Sequence, residues 1–126
     1  MHTSPGGPIS SQQFTDQSAD ETLGPWIDVR GYAHVVFYIT GSGTISSGVL
    51  TFEEAAPKNL SASGAVVVGE TTGAYSAVTT YSASGVTGGA QASVHLPVAA
   101  YCFVRARIST VLGGSSPLVS VGLVAY

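Results

Sequence analysis

Glycine and proline interrupt this chain so often that a helical fold is disfavoured. No window of eleven residues keeps the spacing of an amphipathic helix without a Gly or a Pro inside it. The runs between these breaks are rich in Val, Ile, Thr, Tyr and Phe, which favour the pleated surface of a sheet. The sequence therefore predicts an all-β fold whose strands are antiparallel, since short glycine-rich turns join the runs.

The most informative stretch extends from Trp26 to Ala55. Residues 33–40 are apolar on both faces, which predicts a central strand that is covered on two sides. A loop at 41–44 follows, with glycines available for positive φ. It leads to an alternating strand over 47–54, which ends before a proline.

The C-terminal third alternates clearly between apolar and polar residues. In the predicted strand over 101–109, the inward positions are Cys102, Val104, Ala106 and Ile108, while Tyr101, Arg105 and Arg107 face outward. A turn at 113–116 then precedes a last strand over 118–126. The other predicted elements are an initial strand at 23–29, strands at 66–68, 74–81 and 91–96, and a loop at 82–89.

About eight strands with glycine-rich turns predict an antiparallel two-sheet β-sandwich, most simply a jelly roll. A small closed barrel is the alternative, because both architectures bury period-2 faces. We assign the sandwich domain to residues 22–126.

Residues 1–21 show neither period 2 nor period 3.6, and they are interpreted as an extended N-terminal arm. Ile9 and Phe14 are its candidate anchors on a neighbouring subunit. The alternative is a frayed tail that contacts nothing.

Charge is scarce, and this restricts the possible partners. Charged residues make up 9% of the chain, against about 25% in an ordinary soluble domain. Such a surface predicts packing into an assembly rather than a protein that circulates alone. Four basic residues provide no positive stripe for nucleic acid, and the absence of an 18-residue apolar run predicts no membrane span. No secretory signal is recognisable.

The candidate binding residues lie on predicted sheet faces. Arg105 and Arg107, two residues apart, share one face and can pair with carboxylates such as Asp28 or Glu53, with a neighbouring subunit, or with an anion. Trp26 and Tyr32 are candidates for stacking on a sugar ring, or for capping the core or a subunit interface.

No catalytic constellation is recognisable, so we expect a protein that is not an enzyme. Glu53 and Glu54 are adjacent on a strand and point to opposite faces, which favours a solvated strand end with one ion pair over a calcium site. His34 and Cys102 are interpreted as packed residues rather than ligands or nucleophiles. A single cysteine excludes an intrachain disulfide, and no cofactor or metal is expected.

Several of these segments together resemble a β-sandwich of tailed-bacteriophage structural proteins. The matching pattern is Ile27-Asp-Val-Arg-Gly-Tyr32, then Val35-Val-Phe-Tyr-Ile-Thr-Gly41, then Ser47-Gly-Val-Leu-Thr-Phe-Glu-Glu54, and finally Tyr101-Cys-Phe-Val-Arg-Ala-Arg107 before Gly113-Gly114. The resemblance covers roughly residues 23–126. Residues 54–57 depart from it, because family members often carry Asp-Gly and Trp after this strand.

The resemblance implies a virion component that is made in the host cytoplasm and has no enzymatic activity. It favours a capsid decoration (cement) protein that forms a homo-oligomer (trimer or dimer) on the capsid surface, binds the major capsid protein and stabilises the head. The alternative is a module of a tail or fibre that recognises host-surface carbohydrate through Trp26, Tyr32 or loops at 60–89.

Overall fold

The computed structural model describes residues 7–55, 75–97 and 103–126, and nearly all of them lie in antiparallel strands. The strands of this part of the chain are β1 (Ile9–Gln17), β2 (Thr22–Leu23), β3 (Ile27–Asp28), β4 (His34–Ala55), β5 (Tyr75–Ser82), β6 (Gln91–Pro97) and β7 (Phe103–Ala125). A 3₁₀ segment, Ala83–Gly89, joins β5 to β6. The prediction of an all-β antiparallel fold is confirmed. None of the described residues forms a helix long and apolar enough to cross a membrane.

Two long strands, β4 and β7, organise the fold. They pair antiparallel from Val35↔Ala125 to Ala55↔Phe103, and both bend near the middle, where the register shifts. The predicted breaks at 41–44 and 113–116 lie opposite each other in this ladder. These segments are therefore bends inside continuous strands, not the loop and turn predicted. Gly43 and Gly114, at φ +69° and +135°, supply the backbone conformations that such bends require.

The bends divide the sheet into two layers. The first layer has the order β1-β7-β4-β6, and the second has β2 and β3 beside β7, then β4, then β5. This is the strand order of a jelly roll, in which β4 and β7 each contribute one half to each layer. Counting those halves separately, and β2 with β3 as one interrupted strand, gives the eight strands that the sequence predicted.

The core lies between the two layers. Phe37 of the first layer and Phe52 of the second are both fully buried, and their ring centroids are 4.6 Å apart. The predicted inward faces surround this pair, since the following residues are buried: Val35, Ile39, Leu50, Val104, Ala106, Ile108, Val119, Val121, Leu123 and Ala125. Burial of these period-2 faces provides the main stabilisation of the fold.

The 3₁₀ segment replaces the loop predicted at 82–89. Ala83 and Val86 are fully buried, and the Ile45 N–H donates to Thr87 Oγ1 at 2.8 Å. These contacts hold the segment against the bend of β4. The sequence predicted an exposed loop here because the segment consists mainly of small residues.

The predicted arm over 1–21 is wrong for residues 9–17, which form β1 within the domain's own sheet. β1 pairs with β7 from Ile9↔Ala125 to Gln17↔Val119. Phe14 is 8% exposed and lies in the core, and Ile9 packs against the core. In this fold, both predicted anchors therefore contact their own domain.

Bulges explain why the sequence pattern concealed β1. The register shifts twice along the strand, so the adjacent residues Gln13 and Phe14 are both buried. The buried Gln13 side chain hydrogen-bonds to backbone groups of two neighbouring segments. Its Oε1 accepts from Ala106 N–H at 2.6 Å, and its Nε2 donates to Pro25 O at 3.0 Å. Each bulge shifts the alternation of inward and outward side chains along β1, so the sequence of this strand shows no period-2 pattern.

The strand predicted at 23–29 is reduced to β2 and β3, with two residues each, separated by residues 24–26. Proline cannot donate to a ladder, which explains the interruption at Pro25. The strand predicted at 66–68, and Cys102, lie outside the described residues.

Candidate functional site

The outer face of the second layer carries a cluster of ion pairs around Glu53. Arg105 Nε donates to Glu53 Oε1 at 2.8 Å, and Arg107 Nε lies 3.2 Å from Glu53 Oε2, an ion-pair contact without hydrogen-bond geometry. Arg107 Nη1 also donates to Glu21 Oε1 at 3.1 Å. The predicted intramolecular pairing is therefore confirmed for Glu53. Asp28, the other suggested partner, pairs with Arg30 instead.

Glu53 is almost inaccessible to solvent, with 2% of its side chain exposed. The interpretation of residues 53–54 as a solvated strand end with one ion pair is therefore confirmed for the ion pair, which Glu53 makes, and wrong for the solvation of Glu53. Two guanidinium groups on the neighbouring strand β7 cover its carboxylate and compensate its lost hydration. The cluster is therefore a structural element of the domain in this state.

Two aromatic rings flank the guanidinium group of Arg105. Its Cζ lies 4.2 Å from the ring centroid of Trp26 and 5.2 Å from that of Tyr75. The two rings are 5.9 Å apart and inclined at 59°. Cation–π contacts of this kind stabilise a partly desolvated arginine. Because the rings are tilted, they do not form the flat platform on which a sugar ring would stack.

Trp26 and Tyr32, proposed together from the sequence, make different contacts. Tyr32 packs against the core and its hydroxyl donates to Gly7 O at 3.4 Å. The sequence analysis did not select Tyr75. Strand β4 lies between β5 and β7, and Ala55 of β4 is aligned with Tyr75 on one side and with Phe103 on the other. Arg105 is two residues from Phe103 on the same strand, so it lies near Tyr75. Only knowledge of the strand neighbours would have revealed that contact.

The outer face of the first layer is different, because the described residues at its centre include no Asp, Glu, Lys or Arg. We call it the neutral face, and it consists of Ser10, Gln12, His34, Val36, Tyr38, Thr40, Gln91, Ser93, His95, Ser120, Gly122 and Val124. Asp16 lies at one corner, where it accepts a hydrogen bond from Ser120 Oγ at 3.3 Å.

A shallow depression of about 220 Å³ lies on the neutral face. Gly122 leaves a gap between Gln12 and Tyr38, its neighbours on the adjacent strands. Tyr38 is 50% exposed within the described residues. The sequence predicted that residues 33–40 are covered on two sides, but on this second side Val36 is buried while His34, Tyr38 and Thr40 are exposed.

Two histidines meet on the neutral face. His34 Nδ1 lies 3.2 Å from His95 Nε2, and the His34 ring stacks on Tyr126 with centroids 4.8 Å apart. The sequence analysis interpreted His34 as a packed residue, but its side chain is exposed on this face. Its proximity to His95 depends on the pairing of β4 with β6. The described residues contain no group of three His, Cys, Asp or Glu side chains that could hold a metal ion.

Glu54 lies at the inner side of the second layer, and its Oε2 is buried without a hydrogen-bond partner among the described residues. Loss of hydration on burial raises the pKa of this carboxyl above its ordinary value. The ionised form therefore destabilises the folded state at neutral pH. This penalty disappears as the pH falls through the raised pKa of the folded state.

Replacement of Glu54 by Gln should therefore raise the melting temperature at pH 7 by about 2–4 °C. The gain should shrink as the pH is lowered toward the ordinary carboxyl pKa of 4.5, because the raised pKa makes the folded wild type take up its proton before that value is reached. Thermal unfolding followed by circular dichroism across this range measures the effect, with the exposed Asp20→Asn variant as control. A wild type that is more stable than Glu54→Gln at pH 7 would show that the carboxylate is well solvated or paired.

No known protein family matches this sequence, and no curated protein matches it either. The fold is nevertheless similar to solved structures. The SPBc2 prophage-derived protein YomS aligns with a TM-score of 0.50 and 11% identity, over 100% of this chain and 99% of that chain. A chain of the Triatoma virus empty capsid aligns with a TM-score of 0.50 and 10% identity, over 94% of this chain and 86% of that chain. At these identities the likeness concerns the fold alone.

Proposed function

We propose that this protein is a non-enzymatic structural component of a tailed-phage virion, acting as a capsid decoration protein that binds the major capsid protein. The neutral face is the observation that carries this proposal. The resemblance to phage structural proteins agrees with it, since the matching residues 35–41 lie on β4 at the centre of that face. A prophage protein and a viral capsid protein share the fold.

Burial of the neutral face against a partner would avoid the desolvation of carboxylate, ammonium and guanidinium groups, and its hydroxyl and amide groups can hydrogen-bond to the partner. Interface centres are poor in charged residues and rich in aromatic ones, and Tyr38 lies exposed beside the depression. Arg105, Arg107 and Glu53 are paired with one another on the other layer. This ion-pair cluster therefore lies on a different layer from the surface that we assign to binding.

A decoration protein of this kind would act by repetition. Each domain is a rigid double layer that spans neighbouring capsid subunits, and each contact need only be modest because many copies bind the same lattice. The result is a shell that better resists the internal pressure of packaged DNA.

A charge placed on the neutral face tests the proposal. Tyr38→Glu should reduce binding to capsids that lack the protein by at least about tenfold, since a desolvated carboxylate costs more than 1.4 kcal/mol. Co-sedimentation of purified protein with such capsids measures the binding. The matched control is Thr80→Glu, an exposed strand position on the second layer.

Retention of wild-type binding by Tyr38→Glu, together with loss of binding by Thr80→Glu, would assign the contact to the second layer instead. Binding to glycans that is lost in Trp26→Ala would favour the host-carbohydrate function.

A further inference from the structure

Among the described strands, β6 is an unpaired edge of the first layer with a regular register, and it contains no Asp, Glu, Lys or Arg. β6 pairs with β4 from Gln91↔Thr40 to Pro97↔His34 without a register shift. No other described strand pairs with its opposite side. An unpaired strand edge presents N–H and C=O groups to which another strand can bind.

The other edges of the sheet carry features that discourage such pairing. β1 has two register shifts, and the register between β5 and β4 shifts opposite Phe52 and Glu53. β2 and β3 are two residues long and are separated at Pro25. Bulges, prolines and short strands are the usual protection of sheet edges. β6 shows none of these before its terminal Pro97.

The ladder determines which groups of β6 face outward. His34 and Tyr126 exchange backbone hydrogen bonds of 2.8 and 2.9 Å, so residue 34 of β4 bonds toward β7. Gly41 N–H donates to Ala90 O at 3.2 Å, so the odd residues of β4 bond toward β6. Hydrogen-bonded and non-hydrogen-bonded pairs alternate along an antiparallel ladder, so the backbone groups of Ala92, Val94 and Leu96 make the hydrogen bonds to β4. The N–H and C=O groups of Gln91, Ser93 and His95 therefore point away from the domain.

We propose that a second copy of this chain pairs with this edge, antiparallel, about a twofold axis at Ser93. In this register Ser93 faces Ser93 of the second copy, and Gln91 faces His95 in both directions. The three facing pairs, with two bonds each, give about six backbone hydrogen bonds. Pro97, which has no N–H, remains outside the ladder.

Side chains support the same register. On the inner side Ala92 of one copy lies opposite Val94 of the other, and both are only partly buried in the single domain. On the outer side the facing residues are Gln91, Ser93 and His95, so the twofold axis opposes no Asp, Glu, Lys or Arg.

The product would be one eight-stranded sheet with a neutral face of doubled area. A dimer joined mainly by one strand pair buries a small interface and should dissociate on dilution. This inference goes beyond the proposed function and does not depend on it, because the partner is the chain itself. If the virion function also holds, a dimer binds the lattice at two points.

Substitution of Ser93 by proline tests the edge directly. The Ser93 N–H makes no bond to β4, so the domain should keep its melting temperature, whereas the ladder loses both central donors. Sedimentation equilibrium should show a concentration-dependent dimer for the wild type and a monomer for Ser93→Pro. A wild type that stays monomeric at its highest soluble concentration, or a Ser93→Pro variant that dimerises like it, would overturn the proposal.

Cross-linking tests the register without relying on the proline variant. Facing residues of a hydrogen-bonded pair have Cα atoms about 5.5 Å apart, within the range of a disulfide. In a Cys102→Ser background, Ser93→Cys should form a disulfide-linked dimer under mild oxidation. Thr80→Cys, an exposed position on the edge strand β5, should remain monomeric. Efficient cross-linking through Thr80→Cys but not through Ser93→Cys would place the interface on β5.

Discussion

Replacing Glu53 by Ala is expected to destabilise the domain by about 3–5 kcal/mol, because it leaves two arginines with little exposure and without their common partner. The Arg105 and Arg107 side chains are 11% and 24% exposed. Arg105 also lies against Trp26 and Tyr75, so its guanidinium group cannot reach bulk water without breaking those contacts. Equilibrium unfolding in urea measures the loss.

Two variants separate this explanation from a general loss of packing. Asp28→Ala removes the partner of Arg30 in a more exposed pair, with 25% and 42% of the side chains exposed, and should cost about 0–1 kcal/mol. Replacing Glu53, Arg105 and Arg107 together by Leu should recover much of the stability lost in Glu53→Ala, since the only charge left without its partner is then that of Glu21, which is 67% exposed. A loss below about 1 kcal/mol in Glu53→Ala would contradict the cluster's structural role.

Phe14→Ala should cost about 3–5 kcal/mol, as expected when a buried phenylalanine is truncated in a core that cannot collapse around the cavity. Phe14 is 8% exposed and belongs to the same core as Phe37 and Phe52. An N-terminal arm would predict an unchanged melting temperature. The free energy of unfolding of the isolated protein therefore distinguishes a strand of the sheet from an arm.

The control for Phe14→Ala lies on the same strand. Thr15 is exposed, so Thr15→Ala should change stability by less than about 0.5 kcal/mol. Equal effects of the two substitutions would show that β1 contributes no side chain to the core.

The sequence was most informative where strands alternate without interruption. β6 was predicted at 91–96 and is observed at Gln91–Pro97, because its register with β4 is regular. β1 was missed because bulges place Gln13 and Phe14 on the same side. The glycine segments at 41–44 and 113–116 were mistaken for strand ends, since a local pattern does not show that two bends lie opposite each other in one ladder.

In the candidate sites too, local spacing was predictable from the sequence, whereas contacts that depend on strand pairing were not. The sharing of one face by Arg105 and Arg107 follows from their spacing, and Glu53 was a foreseeable partner. The contribution of Glu21 was not foreseeable, because it depends on which strand lies beside β7. The neutral face was also hidden in the sequence, since its residues come from four strands that are far apart along the chain.

The proposed virion role is tested most directly by mass spectrometry of phage particles purified from cells that express this chain. The account predicts the intact chain at a fixed ratio to the major capsid protein, retained through repeated density-gradient purification. Virions free of the chain, with the protein found soluble in the lysate, would contradict it.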